Sequence, residues 1–417
     1  TPWLNKLGDT KMKVVRVGSQ QFQKLCDRGL GRNRRVAESV RNIIESVRVS
    51  GDDALLKYTR KFDHVKLSPK DLKVSECEMS GSYQDIKPEF VSTLKVVMEN
   101  ITKFYKKQLK RSWKIKDADG VLLGENIVPL EKVGVYVPSG TVPLVSSVYM
   151  TVIPAKMAGV KKIVLVTPPN EHKSVDPHIL VVADLLKVDA IYKVGGAQAI
   201  AALAFGTRTI PRVDKIVGPG NTYVTEAKRQ VFGYCGIDML AGPTEVAIIA
   251  NQMSDVNFIK ADLAAQAEHF MGMSILITNS KRLVKIFKKE NINGYIVMVN
   301  NMDEAANVAN MLAAEHLQIL TNNPKKIAKK IMHAGAIFLG PYTPVAVGDY
   351  VAGPSHVLPT GGSARFFSGL GVSDFCKSSH ILSFTRKALE KIRDPLEKVA
   401  GIEKLDKHMD SIKVRFE

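Results

Sequence analysis

From about Val133 onward, apolar residues gather into short unbroken runs, separated by longer stretches in which they recur every three or four positions. The runs Val133–Val137, Ile163–Thr167, Ala190–Val194, Lys215–Val217, Glu245–Ala250, Ser274–Thr278, Tyr295–Val299, Gln318–Thr321 and Ala336–Leu339 predict strands. Thr222–Phe232, Val256–His269, Met302–Glu315 and Lys325–His333 have the length and period of helices. Such alternation predicts an α/β protein with two βα-type modules, each a parallel sheet covered by helices. One module spans roughly Gly134–Thr244, and the other runs from Glu245 into the 360s. Upstream, to about Tyr105, the pattern is mostly helical, with Val36–Ile44 and Phe90–Phe104 clearest, and this region is expected to dock on the second module. Beyond the Gly-rich passage Gly361–Gly371, a charged, mainly helical tail is expected to Glu417. The resulting division is a small N-terminal segment at 1–29, a larger α/β domain at 30–133 with 246–370, a second α/β domain at 134–245, and a C-terminal tail at 371–417.

Composition narrows the class. The chain has 417 residues, 45% hydrophobic and 24% charged, enough for about two to four domains with real cores. No apolar run approaches the ~18 residues of a membrane span, which argues against an integral membrane protein. Thr1–Lys6 show no secretory pattern, so a cytoplasmic address is expected. Cys26, Cys77, Cys235 and Cys376 form no CxxC; they are expected to be reduced and mostly core filler. Lys and Arg outnumber Asp and Glu by 59 to 41, giving a net charge of +18. That excess raises a nucleic-acid reading, but most of it lies on stretches that read as solvated helix faces. Only Lys106–Lys116, with Trp113, interleaves an aromatic as stacking on bases would require. No nucleic-acid partner is expected.

Candidate chemistry falls in a few places. There is no GxGxxG, yet Pro138-Ser139-Gly140, Gly195-Gly196-Ala197-Gln198 and Gly218-Pro219-Gly220-Asn221 each follow a strand and lead into a helix. Such turns let the backbone approach a phosphate or carboxylate at a helix N-terminus; each also reads simply as a tight strand-to-helix turn. In Gln266-Ala267-Glu268-His269, an i, i+3 pair at a helix end offers oxygen and imidazole to a divalent metal, or serves as a cap. Asp349, His356 and His408 are further candidate ligands, and a site without Cys suits an open, catalytic metal. Glu315-His316 is expected to close a helix, where the negative end of the dipole would make both groups stronger bases; as a plain helix cap the pair would have no such role.

Together, Val133–Pro138, Lys193–Gly206, Asp214–Gln230, Ile237–Val246, Gln266–His269, Ala313–Gln318 and Gly348–Thr360 resemble the histidinol dehydrogenase family. GGAQAIAALAFGT, VDKIVGPGN, QAEH, AAEH and SHVLPT stand in the family's order through nearly the whole chain. The resemblance implies an incomplete Rossmann-like, aldehyde-dehydrogenase-like architecture with NAD bound by the 134–245 domain. It implies oxidation of L-histidinol to L-histidine in two NAD-dependent steps, the last stage of histidine biosynthesis, with one zinc per site. Carried over by motif, the zinc ligands are Gln266, His269, Asp349 and His408, the acid–base pair is Glu315 and His316, and Tyr136, Gln198 and Asn221 contact NAD. Substrate contacts are Thr244, His356 and Glu403, together with His316 and the metal ligands. The tail, carrying Glu403 and His408, implies a homodimer with composite sites.

The chain departs from the family's pattern at Ser139, at Thr244 in place of Ser, at Val345 where Glu is frequent, and at Phe270-Met271-Gly272-Met273. These departures leave open a metal-dependent NAD alcohol dehydrogenase of the same family acting on another polar alcohol. A thiol-based aldehyde dehydrogenase fits less well, because no Cys neighbours a candidate base.

Overall fold

A computed structural model describes residues 11–29, 31, 33–139, 142–269 and 271–417. The described residues form fourteen strands: β1 (Lys13–Arg16), β2 (Trp113–Lys116), β3 (Leu122–Pro129), β4 (Lys132–Tyr136), β5 (Lys162–Thr167), β6 (Ala190–Lys193), β7 (Lys215–Val217), β8 (Gly236–Ile237), β9 (Glu245–Ala250), β10 (Met273–Thr278), β11 (Gly294–Met298), β12 (His316–Leu320), β13 (Ala336–Leu339) and β14 (Cys376–Ser383). They divide between two compact units. One runs to Gln108 and resumes from Leu130 to Phe375; the other comprises Leu109–Pro129 and Cys376–Glu417.

The larger unit holds two parallel sheets, as the βα rhythm predicts. The first has the order β6-β5-β4-β7-β8 and the second β1-β11-β10-β9-β12-β13, with every pairing parallel. Their central strands are unbroken apolar runs because helices cover both faces, leaving no residue of β9 outside the core. All nine anticipated strands occur, shifted by two residues at most.

The N-terminal region corrects the expected docking. Helix Arg34–Phe62 buries Val40, Ile43, Ile44, Val47 and Leu55 in one core with Tyr136, Val164 and Ile200, and helix Pro88–Tyr105 packs Leu94, Val97 and Ile101 with Val133, Val148 and Ile179. Both therefore cover the first sheet rather than the second. Their apolar stripes complete the two faces that this sheet's own crossover helices leave partly open. Residues before 30 are not a separate segment either. β1 is the edge strand beside β11, and helix Gln20–Cys26 buries Phe22 and Leu25 in the second sheet's core.

In the smaller unit, the expected mainly helical tail begins with a strand. β14 pairs antiparallel with β3, β3 pairs with β2, and helices Arg386–Lys391, Arg393–Ile402 and Asp406–Lys413 follow. Trp113 in the basic stretch lies on β2, its indole N–H donating to Glu125 Oε2 at 3.1 Å. Of the cysteines, none is paired and only Cys235 is buried; Cys77 is exposed and the others are half-buried, so core filling accounts for one rather than most. Among the described residues, no helix is long and apolar enough to cross a membrane.

Candidate active site

The Gly-rich turns lie at the carboxyl ends of the first sheet's parallel strands, where βα units present ligands. Gly195 caps helix Gly196–Phe205, and the Gly196 N–H donates to the Tyr136 hydroxyl at 3.1 Å. Gln198 is buried, and its Oε1 has no hydrogen-bond partner. A Cβ on Gly196, which has φ +64°, would come within 2.8 Å of that oxygen. Asn221 caps helix Thr222–Val231, its Oδ1 accepting from the N–H groups of Tyr223 and Val224. Gly218 is held from both sides: its N–H donates to Asp238 Oδ2 at 2.7 Å and its carbonyl accepts from Lys228 Nζ at 3.0 Å. Lys228 and Asp238 are themselves a buried ion pair. Of the first turn, Ser139 bridges to Pro143, while Gly140 lies outside the described residues.

In the second sheet, Thr244–Glu245 and Glu315–His316 lie side by side at the amino ends of adjacent strands, His316 pairing with Val246. This corrects the expectation that Glu315-His316 closes a helix. That helix stops at Leu312, Ala313 turns left-handed with φ 46°, and His316 begins β12. The helix dipole therefore does not set their basicity; burial and neighbouring charges do. Glu315 is 6% exposed and His316 3%.

Glu315 Oε2 accepts from Thr244 Oγ1 at 2.6 Å and from the Glu245 N–H at 2.9 Å. Burial pushes the Glu315 carboxyl up to about 7, although His316 and these hydrogen bonds pull the other way. For His316 burial opposes the charge, but the carboxylates of Glu315 and Asp349 outweigh it and push the imidazole up to about 9. Its Nδ1 lies 3.1 Å from the Glu245 carbonyl oxygen and its Nε2 lies 3.4 Å from Asp349 Oδ1. A carbonyl only accepts, so Nδ1 carries a proton in either charge state, and the neutral ring, the major form above about 9, presents a bare Nε2.

Asp349 stands on helix Val345–Tyr350, which begins at the departure Val345. His356 Nε2 meets Ser146 Oγ at 3.1 Å; burial holds its imidazole below the usual value, against the pull of Asp349. Gln266 is buried on helix Val256–Ala267 with its amide nitrogen unpartnered, and His269 lies exposed just beyond that helix. The electrostatic coupling of His356 to Asp349, His316 and His269 places these groups in one neighbourhood. Glu403 and His408 are exposed and belong to the smaller unit. Among the described residues, no three His, Cys, Asp or Glu side chains are gathered as a metal site. The larger unit thus supplies an amide, an imidazole and a carboxylate, of which the amide lies outside that grouping. By type, oxygen and imidazole donors suit a divalent cation; the unpartnered buried atom of Gln266 is its amide nitrogen, a hydrogen-bond donor, so its ligand to a cation would be the amide oxygen. The unsatisfied oxygen of Gln198 over the tight Gly196 turn likewise fits a ligand with hydrogen-bond donors.

Sequence reasoning missed Arg28 and Glu245. Arg28 Nε and Nη2 each donate to one Glu245 carboxylate oxygen at 2.6 Å, directly behind Glu315 and His316. A Glu opening the otherwise apolar run Glu245–Ala250 was a legible signal for one partner; nothing in the sequence marked the other. Among the four-residue departure, Phe270 lies outside the described residues, Met271 is exposed, and Met273 opens β10.

A family profile described as histidinol dehydrogenase matches residues 27–416. The chain is 45% identical over 418 residues to histidinol dehydrogenase of Clostridium acetobutylicum, covering 96% of each, and 47% identical over 401 residues to that of Bacillus cereus, covering 92% of this chain and 93% of the relative. The crystal structure of histidinol dehydrogenase from Elizabethkingia anophelis superimposes with a TM-score of 0.90 at 33% identity, covering 97% of this chain and 98% of that one.

Proposed function

Because the chain belongs to the histidinol dehydrogenase family, we propose that it is a zinc-dependent enzyme that oxidises L-histidinol to L-histidine through the aldehyde with two NAD, the last, cytoplasmic step of histidine biosynthesis. The observation that carries this reading is the line of contacts Thr244–Glu315–His316–Asp349, which sets a carboxylate and an imidazole of raised basicity beside a carboxylate donor.

His316 takes the alcohol proton at Nε2, since Nδ1 is held by the Glu245 carbonyl. Glu315 takes a proton from water at the aldehyde stage. Its Oε2 is engaged by Thr244 and Glu245, so the transfer falls to Oε1. Burial of both groups keeps bulk water from competing. Gln266, His269, Asp349 and His408 would hold zinc, which when bound supplies positive charge that orients the substrate's amino and imidazole nitrogens. Thr244, His356 and Glu403 contact the substrate alongside those ligands. Tyr136, Gln198 and Asn221 would bind NAD, which accepts the hydride. Glu403 and His408 belong to the C-terminal unit, and the reading makes the enzyme a homodimer with composite sites.

Two outcomes check the reading. Chelation abolishes NAD reduction by L-histidinol, and zinc restores it; activity indifferent to a chelator that demonstrably strips the metal contradicts the assignment of Gln266, His269 and Asp349. In the cofactor domain, Gly218→Ala costs about 1–3 kcal/mol in denaturant unfolding and weakens NAD binding. The added methyl would strike the Tyr136 carbonyl oxygen, at a residue with φ +118°.

A further inference from the structure

We propose that Arg28 is a positioning residue for the Glu315–His316 pair, acting through Glu245. The inference rests on reading those two residues as the acid–base pair. Glu245 touches the pair by three routes. Its N–H donates to Glu315 Oε2 at 2.9 Å, its carbonyl meets His316 Nδ1 at 3.1 Å, and its Oε1 accepts the Glu315 N–H at 3.2 Å. The same Oε1 accepts the Gly361 N–H at 3.2 Å, tying in the loop that follows Thr360. The position of one residue thus sets the main chain of Glu315, one of its carboxylate oxygens, and the tautomer of His316.

Glu245 is a carboxylate almost sealed from water, at 3% side-chain exposure, and Arg28 is the cation that balances it, at 7%. The pairing is bidentate, with Nε on one oxygen and Nη2 on the other at 2.6 Å each, while Nη1 donates to the Leu25 carbonyl at 3.0 Å. The planar guanidinium therefore fixes the rotation of the Glu245 carboxylate as well as its charge, which a single ammonium does not reproduce. Without it, the carboxylate is left buried and unpaired and moves to find solvent, carrying the first residue of β9 with it. Displacement of a base by about 1 Å is enough for a 10²-fold loss of rate. Arg28 reaches this position because β1 and helix Gln20–Cys26 belong to the second sheet's layer, and its outer side opens on a cavity of about 440 Å³ lined also by Gln20, Lys24, Leu25, Met273 and Tyr295.

The test uses the zinc-loaded full chain with L-histidinol and NAD. Arg28→Ala lowers kcat about 10²-fold with both KM values nearly unchanged. Arg28→Lys recovers little of the loss. Added ethylguanidinium restores kcat of Arg28→Ala saturably, because the cavity admits it to the Glu245 carboxylate. Should Arg28→Ala fail to fold, the double variant Arg28→Met with Glu245→Met removes both charges and leaves no unpaired ion; it folds by circular dichroism and shows the same kcat loss. Wild-type kcat in either folded variant, or full activity of Arg28→Lys, overturns the inference. Failure of the wild type itself to oxidise L-histidinol overturns the acid–base reading beneath it, a distinct result.

Discussion

His316→Gln lowers kcat for the first oxidation of L-histidinol by about 10²–10⁴-fold and leaves zinc content and fold unchanged. The amide replaces a base with a group of similar reach that takes no proton. Among the described residues, His316 is the side chain placed both against the Glu245 carbonyl and beside Asp349, and no other there replaces it as a base. Supplying histidinal directly, so that the alcohol stage is bypassed, recovers most of the turnover. Zinc analysis of the purified variant separates the roles: loss of metal along with activity makes His316 a ligand and contradicts the division between base and metal set.

Glu315→Gln has the complementary effect. Oxidation of histidinal falls by about 10²–10⁴-fold, while formation of the aldehyde from histidinol, read in single turnover, falls far less. The pH profile carries the signature. Burial lifts the Glu315 carboxyl from 4.5 to about 7, and the ionised form is the one that accepts a proton from water. Histidinal oxidation by the wild type therefore rises as pH increases through about 7, and Glu315→Gln flattens that limb. Stability runs in the opposite direction. A carboxyl whose folded pKa is raised contributes stability that is fully present below 4.5 and lost as pH rises through about 7. Relative to wild type, Glu315→Gln is accordingly more resistant to urea at pH 8 than at pH 5. A rising limb that survives the substitution assigns the aldehyde-stage base elsewhere.

Much of the fold is legible in the sequence, and the limits have physical causes. Strands such as Ile163–Thr167 and Glu245–Ala250 were legible because burial on both faces demands unbroken apolar runs. The Gly-rich turns were legible because tight strand-to-helix connections restrict residue type. Ala313-Ala314-Glu315-His316 misled, since its residues suit a helix and only the left-handed turn at Ala313 ends one there. That turn moved the pair to a strand and replaced a dipole argument with one from burial. The docking of Arg34–Phe62 on the first sheet is not legible in the sequence, because an amphipathic stripe shows that a face is buried but not which sheet receives it. Arg28 was invisible for a related reason: its partner Glu245 lies 217 residues away, and no local pattern records such a contact. Gln266, Asp349 and His356 stand out in the sequence as candidate ligands, and the roles that the resemblance implies for them depend on neighbours that periodicity does not reveal.

Thr244 shows how a departure can be structurally quiet. Its hydroxyl donates to Glu315 as a serine's would, so the additional methyl leaves that hydrogen bond intact.

The most direct measurement is the amount of NADH formed per L-histidinol consumed by the zinc-loaded protein. About two NADH per alcohol, with histidine as product, is the result expected if one site performs both oxidations with His316 and Glu315 in succession. About one NADH with accumulation of the aldehyde, or no reaction with histidinol while another alcohol is oxidised, would contradict the four-electron assignment.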